Sequence, residues 1–157
     1  MVKIAIKIVG VFFLLSGLLD IINFLWTGTQ PTTFIHVDIF GYNIAGFVFV
    51  IILLGTGLSI IRFKNSGRIW GLIILWLYSL QIFIALIIFF VYMIKAKTDS
   101  SIGTGLPGFH VTAFGLGKDY MISNPWFLFA FFVSGILIGI QIFILSSKKN
   151  RTYFTAE

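Results

Sequence analysis

Arg62-Phe63-Lys64-Asn65-Ser66-Gly67-Arg68 places three cationic side chains in seven residues, between two long apolar runs. A turn this short and basic reads as the cytoplasmic elbow of a membrane hairpin, because cytoplasmic loops carry the excess of Lys and Arg. Placing the elbow fixes the side on which every other segment ends.

The runs that flank it cover about 39–61 and 69–94. At ~1.5 Å per residue, helices of this length cross a hydrocarbon layer of ~30 Å. Two more runs, about 4–26 and 125–145, raise the expected number of spans to four. Outer loops are expected at 27–38 and 95–124, within a single domain over residues 1–157. The predicted fold is an all-α membrane protein, a four-helix transmembrane bundle with both termini cytoplasmic and one long outer loop. Adjacent helices should run antiparallel, with small residues at their contacts.

Composition leads to the same medium. Of 157 residues, 59% are hydrophobic and 10% charged, with mean hydropathy +1.06. A soluble domain is about half apolar and a quarter charged. This chain has too little polar surface to cover a core in water. Its net charge of +6 does not point to nucleic acid, because the cations sit at segment ends and form no basic stripe. Eight cations fall on the expected inner side: Lys3, Lys7, Arg62, Lys64, Arg68, Lys148, Lys149 and Arg151. Three fall outside: Lys95, Lys97 and Lys118. The N-terminal run continues to Trp26 without a small-x-small cleavage site, so it reads as a span and not as a signal peptide.

The chain has no Cys and two His. That excludes disulfides, thiolate metal sites and Cys nucleophiles, and restricts metal and haem chemistry. His36, Asp38, His110 and Asp119 lie on the outer side without metal-ligand spacing. Gly103-Thr104-Gly105 and Gly115-Leu116-Gly117 precede no Gly-Lys-Ser/Thr and read as turn glycines. No cofactor or metal is expected, no catalytic residue is assigned, and an enzyme is not the favoured reading.

The polar residues inside the spans are few. Ser16, Asp20, Asn23 and Thr27 recur at spacings of four, three and four, which puts them on one helical face. A carboxylate within a membrane is costly, ~2.5–3.5 kcal/mol on insertion scales, so Asp20 calls for an explanation. Asn43 and Gln81 join it as a candidate polar intramembrane site, Ser16, Asp20, Asn23, Asn43 and Gln81. By depth, Asn43, Tyr92, Ser134 and a snorkelling Lys95 are possible partners for Asp20. Gly135 and Gly139 form GxxxG, and Ala130 and Ser134 a second small pair, both expected at helix contacts. Gly41, Ala45, Gly55 and Ser59 supply similar spacings in the second span. A faint repeat lays Gly10–Ile21 on Gly71–Ile82 and sets Asp20 opposite Gln81.

Leu54 to Leu72, LGTGLSIIRFKNSGRIWGL, joins a Gly-x-Gly-Leu helix end, a basic elbow and a Trp-bearing helix start. It resembles a pattern in small, mostly uncharacterised four-span prokaryotic integral membrane proteins. The resemblance implies four spans, a prokaryotic cytoplasmic (inner) membrane and no active residues. The expected partners are the lipid bilayer and other membrane subunits or a second copy, without nucleic acid. Three functions remain open: a non-catalytic accessory or structural subunit, a small transporter or channel on the polar face of the first span, or a membrane enzyme with a quinone or lipid site at the outer mouth.

Overall fold

A computed structural model describes residues 2–28, 30–31, 38–39, 42–98, 108–113, 116–121 and 125–154. Helix α1 covers Val2–Thr27, α2 Ile44–Ile61, α3 Asn65–Thr98, α4 Pro125–Ser146 and α5 Lys148–Arg151. Strands β1 (Asp38–Ile39) and β2 (Tyr42–Asn43) pair antiparallel, as do β3 (Gly108–Ala113) and β4 (Leu116–Met121).

Three helical stretches are long and apolar enough to cross a membrane: Val2–Thr27, Ile44–Ile61 and Asn65–Ile84. A shorter apolar stretch, Phe132–Ser146, lies in α4. Helices are what such a sequence must form in hydrocarbon, where no water satisfies the backbone N–H and C=O groups. The distribution of side chains also fits that medium. Large apolar groups such as Ile4, Leu25, Ile51, Phe132 and Phe143 face outward, while Ser16, Thr56, Ser134 and Gln141 are buried. A protein dissolved in water shows the opposite arrangement.

Helices α1 and α2 meet through their backbones. A Cβ on Gly57 would stand 2.8 Å from the Gly10 carbonyl oxygen, and one on Gly10 would stand 2.9 Å from that of Gly57. Further along, Gly17 faces Leu54 and Val50, and the rings of Phe24 and Phe47 meet edge-on at 5.0 Å. Partner numbers fall as those of α1 rise, so the two helices are antiparallel. Helix α3 then packs on α2 in the opposite sense, with Gly71 beside Ile60 and Thr56, and Tyr78 edge-on to Phe49 at 6.2 Å. Leu145 near the end of α4 reaches Gly71, so α4 returns to the elbow end. Gly10 and Gly71, matched in the faint repeat, both lie against α2.

The glycines that make these contacts were not all expected. Gly55 has nothing within 4 Å of a Cβ placed on it, and Gly57 takes the contact instead. Gly135 and Gly139 likewise have open space around them. Spacing alone identifies a small-residue ridge but not the direction in which it faces.

The elbow closes α2 by a Schellman arrangement. The Phe63 N–H donates to the Ile60 carbonyl at 2.9 Å and the Lys64 N–H to the Ser59 carbonyl at 2.9 Å. Phe63 therefore takes the left-handed conformation, φ 56°, at a position glycine usually fills. Its ring offsets that cost by packing edge-on to Phe154 at 6.3 Å. Gly67, the elbow's own glycine, is held instead by close approach, since a Cβ there would be 2.6 Å from the Ile60 nitrogen.

Boundaries shift from those expected. Span one extends to Val2–Thr27, span two begins at Ile44 instead of 39, and span three lengthens to Asn65–Thr98. At ~1.5 Å per residue α3 is about 50 Å long, more than ~30 Å of hydrocarbon needs. The loop expected at 95–124 begins with the last turn of α3 and contains the paired strands β3 and β4, of which β4 contacts α1 and α4. The tail does not simply end after Arg151. It turns back, burying Asn150 and Phe154, and the Asn150 Nδ2 donates to the Ile144 carbonyl at 2.8 Å. The alternation of Thr33-Phe34-Ile35-His36-Val37-Asp38 permits a short extended segment, of which only Asp38 is among the described residues. His36, Gly103-Thr104-Gly105, Leu106-Pro107 and Asn124, which precedes Pro125 and reads in the sequence as an N-cap, lie outside the described residues.

Candidate functional site: the polar seam beside Asp20

The buried face of α1 is Ile6, Val9, Gly10, Phe13, Ser16 and Gly17, a seam with period near 3.5. Continuing the spacing reaches Asp20, which is half-buried. The next polar positions turn away. Asn23 and Thr27 are exposed, and the Thr27 hydroxyl donates to the Asn23 carbonyl at 2.7 Å. The four-residue stripe is therefore two parts: Ser16 and Asp20 on the packed face, and a solvated helix end at Asn23 and Thr27. Gly28 closes that end with φ 72°, its N–H donating to the Phe24 carbonyl at 2.9 Å.

Asn43 is fully buried, but not as a partner of Asp20. Its Oδ1 accepts from the Gly46 N–H at 3.2 Å and caps α2. Its Nδ2 donates to the Pro31 carbonyl at 2.9 Å, and its own N–H donates to the Gln30 side-chain oxygen. All of this amide's strong partners lie in the segment between α1 and α2 and at the start of α2, which makes it a clamp between the two.

Gln81 is half-buried on α3, and Ser134 is buried on α4. Of Ala130, Tyr92 and Lys95 only the helical backbone is described. The residue missed in the sequence is Tyr78, which lies within electrostatic reach of Asp20 and stacks edge-on with Phe49. A phenol hydroxyl inside a span is a polar handle on an aromatic body, and that was the available signal.

Asp20 makes no hydrogen bond and no ion pair among the described residues. A carboxyl group in this position is able to exchange a proton or meet a polar ligand head. Asp20→Asn is expected to fold and to match the wild type or exceed it by up to ~3 kcal/mol, since it removes a costly charge and breaks no hydrogen bond. Reversible unfolding in mixed detergent micelles measures this. A loss of more than about 1 kcal/mol would reveal a hydrogen bond that the geometry lacks.

Among the described residues, no group of three or more His, Asp or Glu could hold a metal ion. His110 and Asp119 are register partners across the β3–β4 pair. Compared with protein-family models, curated proteins and solved structures, the chain matches none. What the fold itself defines is a helical membrane-embedded protein with a small polar seam in its interior.

Proposed function

We propose that the chain is a four-span bundle of a prokaryotic cytoplasmic membrane, with the elbow and both termini cytoplasmic. We further propose that it serves as a non-catalytic accessory or structural subunit of a larger membrane assembly. The observation that carries this reading is the open glycine pair of α4. Gly10, Gly17, Gly57 and Gly71 are each filled by a neighbouring helix of the same chain. Gly135 and Gly139 share the GxxxG spacing, yet among the described residues no atom lies within 4 Å of where their Cβ would stand. Phe132, Ile136 and Phe143 are exposed beside them. Small residues admit close backbone approach between helices in lipid, and this ridge is left for a helix from outside the chain.

The test is the size of the assembly extracted in mild detergent. The wild type is expected to migrate well above the 17.6 kDa of one chain. Gly135→Ile with Gly139→Ile should release single chains, with helix content and melting temperature unchanged. A wild type that runs as a single chain and conducts ions in liposomes would overturn the subunit reading.

One observation favours the second reading, a small transporter. Thr56, Ser134 and Gln141 are buried within the bundle, and among the described residues the Gln141 Oε1 has no hydrogen-bond donor. Ion flux through reconstituted protein decides between the two.

A further inference from the structure

The elbow end of the bundle is built from cations and aromatic rings. Arg68 is 9% exposed, and its guanidinium carbon lies 6.0 Å from the Phe154 ring centre. Phe154 meets Phe63 edge-on, and the Lys7 ammonium lies 5.9 Å from the Phe63 ring centre. In the order Lys7, Phe63, Phe154, Arg68 two stacked rings lie between two cations, and each cation is held by a π-face. No carboxylate takes part in that order. The sequence has no Asp or Glu at 1–19, 39–98 or 120–156.

Among the described residues Arg68 is incompletely satisfied. Its Nε donates to the Asn65 Oδ1 at 3.0 Å, and its two terminal amino groups find no acceptor among the described residues. Arg151 of α5 sits beside the same ring, since the Phe154 N–H donates to the Arg151 carbonyl at 3.1 Å. A largely desolvated guanidinium beside a second one is costly unless an anion joins them. The guanidinium fork matches phosphate oxygens two at a time. The helix surface next to this site is apolar and exposed, at Ile69, Trp70 and Ile73 of α3 and at Ile4 and Ile8 of α1. A ligand with a phosphate head and hydrocarbon chains is complementary to both parts.

We propose that Arg68 and Arg151 bind the phosphate of an anionic phospholipid at the elbow end of the bundle, with its acyl chains along the exposed apolar surface beside them. The inference rests on membrane embedding. It needs neither the subunit reading nor a choice of which side the elbow faces. Juxtamembrane cations attract anionic lipid in general. The claim here is a pair that retains one lipid in preference to the surrounding field.

The full chain is reconstituted in phosphatidylcholine with and without phosphatidylglycerol, and retained lipid is read by native mass spectrometry. The wild type should keep phosphatidylglycerol and gain melting temperature from it. Arg68→Gln with Arg151→Gln should lower retention about tenfold or more. Lys148→Gln with Lys149→Gln, which removes equal charge from the same end, should not. Arg151→Gln alone, at an exposed position, and Arg68→Lys, which keeps the charge but not the fork, should each weaken retention in a folded protein. Equal losses in the two double variants would reduce the site to a general field and overturn the proposal. So would equal retention of phosphatidylcholine, or equal stabilisation by inorganic phosphate in detergent, which would mark a free-anion site.

Discussion

Gly57→Leu is expected to separate α1 from α2 and leave little folded protein, and Gly57→Ala to cost about 1–3 kcal/mol. The atoms that a Cβ would meet are mostly backbone: the Gly10 carbonyl oxygen at 2.8 Å and the Leu14 nitrogen at 2.9 Å, with the Leu14 Cγ at 2.9 Å. A flexible side chain could swing aside, but a helix backbone has to move as a unit. In lipid the helices gain nothing from hiding apolar surface, so close packing is much of what holds them together. Moving them apart forfeits contacts along the whole seam from Ile6 to Gly17. Gly55→Ala is the control, two residues away with open space around it, and should leave stability unchanged or slightly raised. Detergent-based unfolding measures all three. Wild-type stability in Gly57→Leu would show that the two backbones do not touch.

Asn43→Ala should cost about 2–4 kcal/mol, from a lost helix cap and a buried carbonyl left without its donor. The side chain serves both functions, to the Gly46 N–H and to the Pro31 carbonyl. The site cannot collapse to compensate, because Gly46 already presses on Pro31, and a Cβ there would collide with the Pro31 carbonyl. Asn43→Asp keeps the capping acceptor but turns a carboxylate toward that carbonyl, so it should recover little. Asn43→Ser keeps the cap alone and should recover about 1 kcal/mol. Hydrogen exchange at the Gly46 amide gives a local readout and should accelerate in Asn43→Ala. Unchanged protection there would remove the cap from the account.

Asn43 also shows what a residue's depth in the sequence does not reveal. At the mouth of a span it reads equally as a partner for Asp20 or as a helix cap. Its three partners, Gln30, Pro31 and Gly46, decide the matter, and two of them lie in a loop 12 or 13 residues away. Asp20 is the opposite case. Its place on the α1 face was legible from spacing, because helical periodicity carries Ser16 and Asp20 to one side whatever surrounds them. Tyr78 was not legible as its neighbour, since which faces of α1 and α3 meet depends on how both pack against α2.

The medium and the helices were in the sequence alone. Runs of apolar residues near 20 long leave the backbone no partner but itself in hydrocarbon, and clustered cations mark where the chain turns. The direction in which each glycine ridge faces, the left-handed Phe63, and the return of Phe154 over Arg68 were decided by tertiary structure. These are properties of pairs of surfaces. A helix specifies its own faces through a fixed period, whereas the choice of which face is covered is made by the neighbour that covers it.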